Sequence, residues 1–382
     1  MANTLTGLIP TLYKAADVVS REMVGFIPSV FLDASAEQAA KDQTISYPIT
    51  AAMTAGNITP ASTGPSPSGE TISPGTMSIS KARSISFPWN GEEILSLGST
   101  HEMILRDQFA QAMRTLVNEV EADLAALYIY ASRAYGTAGT TPFGSNLGEA
   151  AQILKILKDN GAPESDLNLV INTTAGANLR TLTQLNKANE AGTVSLRERG
   201  ILLPTFGMAI RESAQTKNHT KGTGSGYLVD LTAGYAVGST TVHVDTGTGT
   251  ILAGDVLTNA ATGVDTNKYI VKTGFAGDGD GDVVLANPGL KIAWVNNNAV
   301  AVGASYAANM AFARNAIHLL TRVPAMPPGG DAADDVMVIT DPVSGISFQV
   351  AMYRQYRQVS YEVGLAWGVK AVKAEHIAIL LG

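Results

Sequence analysis

From Met77 to Trp89 apolar and polar positions alternate. Met77, Ile79, Ile85, Phe87 and Trp89 share one side with Lys81 and Arg83; Ser78, Ser80, Ala82, Ser84, Ser86 and Pro88 take the other. A period of two predicts an extended strand, which at about 3.3 Å per residue spans roughly 43 Å. Gln43–Thr50 reads as its partner. The two predict a long ribbon, which is marginal in water on its own and is therefore expected to rest on a neighbouring molecule. A hairpin folded back on its own domain is the plainer alternative.

The period then changes. Phe109, Met113, Leu116, Val117, Val120, Leu124, Leu127 and Tyr128 recur every three to four residues, which predicts a helix capped by Ser99 and running to about Arg133, where Gly136 and Gly139 end it. Such a helix is a rod of roughly 50 Å. Ahead of the ribbon, residues 1–42 read as an arm with short helical pieces at Ala15–Val24 and Ala34–Lys41. After the long helix, 147–159 predicts a helix stopped by Asn160-Gly161, Leu167–Asn172 a buried strand, and Thr173 the cap of a further helix through Leu185. From about Thr223 to Val300 Gly, Thr, Val and Asp dominate, with strands expected at Thr240–Asp245 and Asp282–Leu285: an all-β insertion. Val359, Tyr361, Val363, Leu365, Trp367 and Val369 alternate with Ser360, Glu362, Gly364, Ala366, Gly368 and Lys370, and an apolar strand, Ile377–Leu381, closes the chain. The class is α+β. The expected divisions are 1–42 (arm), 43–90 (ribbon), 91–140 (long helix), 141–225 (α/β segment), 226–300 (β-insertion) and 301–382 (closing strands).

Composition sharpens this picture. In 382 residues the charged fraction is 15% beside 45% hydrophobic, where an ordinary soluble protein carries about 25% charge. Depletion of charge is what obligate interfaces show. The net charge of −7 argues against a protein built to wrap nucleic acid. There is no cysteine, so disulfides and thiolate sites are excluded. The first ten residues lack the basic and long apolar regions of a signal peptide. The uncharged stretches 43–69 and 292–313 are too polar and too rich in Pro, Gly or Asn to be membrane spans.

Catalytic patterns are weak throughout. Asp278, Asp280 and Asp282 alternate as in a calcium loop, but Val283 and Gly289 stand where that loop needs Gly and Glu; a solvated hairpin turn is the expectation, with the three carboxylates a minor metal candidate. Gly222–Gly226 lacks the Lys-Ser/Thr ending of a phosphate loop. His101, His219, His243, His318 and His376 are scattered, with His243 and His318 expected to be packing or surface residues. Glu92-Glu93 suits a helix start. No enzymatic constellation survives, and no cofactor is called for.

The order of arm, long hairpin, long helix, α/β segment, β-insertion and closing strands resembles the tailed-bacteriophage coat proteins of the Hong Kong 97 fold. Local motifs narrow the resemblance to the phage P twenty-two type. Asn309–Pro324 looks like the strand leaving that group's insertion domain. Tyr353–Tyr356, Leu365–Val369 and Ala374–Ala378 look like its C-terminal strand pair, and Thr248–Thr258, turning at Gly254-Asp255, is similar to a strand-turn of the insertion. The stretch Gly226–Thr240 looks short for the loop that makes a two-fold contact in that group. The resemblance implies a major capsid protein assembling as hexamers and pentamers, with a scaffolding protein, a portal protein, a decoration protein and non-specifically packaged double-stranded DNA as partners, no membrane, and assembly in the host cytoplasm into a virion. It also implies no proteolytic trimming and no covalent cross-linking. Lys81, Arg83, Phe87 and Trp89 are then expected at the contact with a neighbouring subunit, and Gly254, Asp255, Trp367 and Gly368 are expected to be critical to the fold. A cellular nanocompartment shell and a secreted β-rich adhesin are the competing readings.

Overall fold

The computed structural model describes residues 9–22, 25–49, 73–186, 202, 204–261, 263, 265–341 and 344–382. The chain enters through α1 (Ile9–Glu22), a 3₁₀ turn at Ile27–Ser29 and β1 (Phe31–Ala39). A ribbon of β2 (Thr44–Ile49) and β3 (Ser73–Ser78) follows, then β4 (Lys81–Asn90), α2 (Gly91–Leu97) and α3 (His101–Ala125). After β5 (Arg133–Tyr135) come α4 (Gly148–Asp159), β6 (Leu167–Ile171), α5 (Thr173–Thr181), α6 (Thr183–Asn186), β7 (Met208–Glu212) and β8 (Asn218–His219). A run of strands succeeds them: β9 (Tyr227–Val229), β10 (Thr241–Gly247), β11 (Val256–Asn259), β12 (Lys268–Thr273), β13 (Gly279–Leu285) and β14 (Ala299–Val302). The chain closes with β15 (Tyr306–Ala313), β16 (Ile317–Pro324), β17 (Asp335–Thr340), β18 (Ser347–Gln355), β19 (Gln358–Ala371) and β20 (Ile377–Leu381).

One sheet has the order β1-β16-β19-β18-β17, with β4 also pairing β19. The larger sheet runs β11-β14-β9-β10-β13-β12-β5-β20-β15-β6-β7. Because β11 also pairs β12, the strands from β9 to β14 close on themselves, which removes their free edges. They enclose their own cluster of Tyr227, Val242, Val271, Leu285 and Trp294. The remaining core is organised by α3, whose Leu105, Phe109, Met113, Leu116, Val120 and Leu124 are buried at the three-to-four spacing read from the sequence.

Several expected elements come out differently. Ala34–Lys41 is not helical: Phe31–Ala39 is a strand laid parallel to β16, with Phe31 opposite His318 and Gln38 opposite Val323. Tertiary pairing outweighs the weak helical preference of its Ala, Glu and Gln residues. The single strand expected over 77–89 is two strands. β3 pairs with β2, whereas β4 pairs with β19 from Trp367 opposite Lys81 to Gln358 opposite Asn90. The alternation keeps its phase across Ile79 and Ser80, so the pattern alone cannot register the change of partner. The long helix begins later than Ser99. Asn90 caps α2 instead, its side chain accepting from Glu93 N while Glu93 reaches back to Asn90 N, 2.8 and 3.0 Å, a reciprocal cap. A 3₁₀ turn over Gly98–Thr100 then leads into α3. The stretch 309–324 is likewise divided, by a 3₁₀ turn at Arg314–Ala316 that carries the chain from one sheet to the other.

Candidate functional site

Asp123 of α3 ties together two strands far apart in sequence. Its Oδ2 accepts from Trp367 Nε1 at 2.9 Å, and its Oδ1 accepts from Lys81 Nζ at 2.8 Å. Lys81 Nζ also lies 5.9 Å from the centre of the Trp367 ring, within cation–π reach. Trp367 is fully buried. Next to it, a Cβ on Gly368 would stand 2.0 Å from the Ser78 carbonyl oxygen, so β19 needs glycine where the end of the ribbon crosses it. Ser80 N donates to the Trp367 carbonyl at 3.0 Å in the same crossing.

The residues expected to meet a neighbouring subunit therefore have partners within the chain. Lys81 holds Asp123, and Arg83 lies 3.8 Å from Glu119. Phe87 packs edge-on to Phe109 at 5.1 Å. Trp89 is buried and donates from Nε1 to Gln108 at 2.7 Å. Once β4 pairs with β19, that side of the strand faces α3 and its carboxylates.

Gly254 and Asp255 sit at the junction between the closed strands and the rest of the chain. Asp255 is wholly buried. Its carboxylate accepts from His219 Nε2 at 2.8 Å, from Gly222 N at 3.0 Å and from Leu252 N at 2.7 Å. Tyr128 OH donates to His219 Nδ1 at 2.8 Å, the tautomer in which both ring nitrogens are satisfied. Tyr306 OH donates to the Gly254 carbonyl at 2.6 Å. Gly254 has φ of +96°, and a Cβ there would meet Tyr128 at 2.8 Å and His219 at 2.9 Å; only glycine fits. Burial, and secondarily the Asp255 charge, raises the pKa of Tyr128; burial, then Tyr128 and Asp255, raises that of Tyr306. Both phenols stay protonated as donors. The network thus links the end of the long helix, β8, β15 and the turn before β11. The sequence marks the glycine turn; it gives no signal that His219 and Tyr128 complete it.

The arm is held in a similar way. Glu121 of α3 accepts from Phe26 N, Ile27 N and Ser213 Oγ, each at 3.1 Å. Burial raises its pKa, against the opposing effect of those hydrogen bonds. A lone acidic residue on a helix gives no sequence signal for this role.

No protein-family model matches the chain, and no curated protein does. Among solved structures, the chain is similar to one from Mycobacterium phage Che8, at 11% identity over 90% of this chain and 85% of that one, TM-score 0.45. It is similar to the capsid of cyanophage P-SCSP1u, at 10% identity over 92% and 86%, TM-score 0.46. It is also similar to a virus-like particle from Pyrococcus furiosus, at 10% identity over 97% of each chain, TM-score 0.42. At these identities and scores no residue-by-residue correspondence follows.

The aspartates of the calcium-like run do not converge. Asp278 Oδ1 accepts from Gly249 N at 2.6 Å, whereas Asp280 and Asp282 both engage His243, the latter from Nδ1 at 2.6 Å. Gly277 and Asp278 lie in the connection between β12 and β13, whereas Gly279–Leu285 is a strand whose alternation puts Asp280 and Asp282 on one face beside His243 of β10. Among the described residues no group of three His or acidic side chains is arranged to hold a metal. The Asp282 hydrogen bond, with both carboxylate charges, raises the pKa of His243. A raised folded pKa means that the pair contributes stability below the unfolded value of about 6.5 and loses it as pH rises through the folded value; exposure keeps the gain small. NMR titration is expected to put the His243 midpoint above that of an unperturbed histidine, and Asp282→Asn to move it down. An Asp282→Asn midpoint equal to that of the unsubstituted protein would refute the pairing.

Proposed function

We propose that this chain is a major capsid protein that assembles with copies of itself, as hexamers and pentamers, into the icosahedral shell of a tailed bacteriophage. In this reading it has the Hong Kong 97 fold: 1–42 is the arm, 43–90 the extended loop, α3 the spine helix, the closed strands within 226–300 the insertion domain, and the remaining strands the peripheral and axial domains. A scaffolding protein, a portal protein, a decoration protein and the packaged DNA are its partners, the virion is its location, and the shell is built in the host cytoplasm without catalysis. No helix among the described residues is long and apolar enough to cross a membrane.

The observation that carries the reading is the ribbon. Among the described residues β2 and β3 pair with each other and with no other strand, and they flank a charge-poor stretch. The described part of the ribbon rests on its own chain, where Ile45, Tyr47, Met77 and Ile79 meet Leu320 and Ala366 and the Tyr47 ring lies 5.7 Å from that of His318. A two-stranded sheet has little stability by itself, and pairing or packing on a second copy supplies what it lacks. The tip of the expected ribbon, 51–72, lies outside the described residues.

Replacing 51–72 with a short Gly-Ser linker is expected to leave circular dichroism unchanged while sedimentation velocity shows loss of large assemblies. The stretch holds Pro60, Pro65 and Pro67 among small polar residues, so its removal costs the fold little apolar burial. Normal shells, or an unfolded chain, would refute this role.

A further inference from the structure

Among the described residues Arg83, Arg106, Arg133, Arg180, Arg322 and Arg354 each make an ion pair with a carboxylate. Arg211 of β7 and Arg314, between β15 and β16, do not. Arg211 Nη1 donates to Ser29 Oγ at 3.1 Å and to Asn168 Oδ1 at 2.6 Å, and Arg314 Nε donates to the Val30 carbonyl at 3.3 Å. All these acceptors are neutral. The two side chains are therefore anchored on consecutive residues of the arm, Ser29 and Val30, and Asn168, which accepts from Arg211, donates to the same Asp166 carbonyl as Arg314 N. Burial, and then the charge of Arg314, lowers the pKa of Arg211. Asp166, whose carbonyl accepts from Arg314 N at 3.0 Å, makes no ion pair with either.

A guanidinium carries five N–H donors in a planar fork. On Arg211 the Nε and Nη2 donors have no partner among the described residues, and on Arg314 both terminal nitrogens are without one. Arg314 is exposed and Arg211 half-buried. Two cations within electrostatic reach of each other, with free donors and no counter-charge, have the composition of an oxyanion site, because a dianion would cancel their repulsion and take charge-assisted hydrogen bonds from both. We propose that Arg211 and Arg314 form a binding site for a phosphate group, either free phosphate or the phosphodiester of a nucleic-acid backbone. The site is built on the docked arm and does not depend on the shell reading.

The test is calorimetric titration of inorganic phosphate into the purified full chain at low salt. Saturable binding is expected, weakened about tenfold or more by Arg314→Gln, which removes an exposed fork worth on the order of 1.4 kcal/mol. Arg357→Gln, on a distant hairpin turn, is expected to bind as the unsubstituted protein does. Circular dichroism of Arg314→Gln separates a lost ligand from a lost fold, and Arg211→Gln serves as the second variant. A short oligodeoxynucleotide that competes with phosphate assigns the site to a nucleic-acid backbone; one that does not assigns it to free phosphate. Absence of saturable binding, or equal binding by Arg314→Gln, overturns the proposal.

Discussion

Trp367→Ala is expected to lower the stability of the fold by about 3–5 kcal/mol, the range for removing a large buried aromatic side chain. That is a large share of the roughly 5–15 kcal/mol that stabilises a typical domain. The loss has three sources here. The indole is fully buried on β19, its N–H satisfies Asp123, and its ring lies under Lys81; without it the carboxylate of α3 keeps a single partner. Trp367→Phe separates these effects, since it retains most of the volume and loses the donor, and its destabilisation is expected to be clearly smaller. Urea unfolding followed by circular dichroism reads both. A Trp367→Ala midpoint matching that of the unsubstituted protein would show that β19, α3 and β4 are not joined as described.

Asp255→Ala is expected to act as severely through a different mechanism. It removes one carboxylate and strands the donors of His219, Gly222 and Leu252 in a buried site. Each buried group left without a partner costs about 1–3 kcal/mol, so a loss on the order of 3–5 kcal/mol is expected. The damage should also be local. The strands from β9 to β14 have their own core and are fastened to the rest through this network, so native-state hydrogen exchange should accelerate there first while β16, β18 and β19 keep their protection. Uniform acceleration across both sheets would contradict a junction role.

The periodic elements were legible because each follows one rule along the chain. The face of α3 and the alternation of β4 and β19 depend only on which residues are buried, and the Asn160-Gly161 stop depends only on the left-handed backbone that Gly161 adopts at φ +78°. What failed depended on a partner elsewhere. Phe31–Ala39 is a strand because β16 lies beside it. Ile79 and Ser80 change sheets without a break in alternation, and Arg314–Ala316 does so within an apolar run. The polar joints were less legible still. Gly254-Asp255 was visible as a turn, but His219 and Tyr128 are 36 and 91 residues from their partners in that network. Glu121, 95 residues from Phe26, is one acidic side chain among others until the arm is seen lying against it.

The central claim is that copies of this chain close into a shell. Electron microscopy of the purified full-length protein, alone and co-expressed with the adjoining reading frames, tests it most directly. The account predicts closed icosahedral particles of uniform size in at least the co-expressed sample, with intact-mass spectrometry showing full-length, uncross-linked chains. A folded protein that stays monomeric in both samples would contradict it.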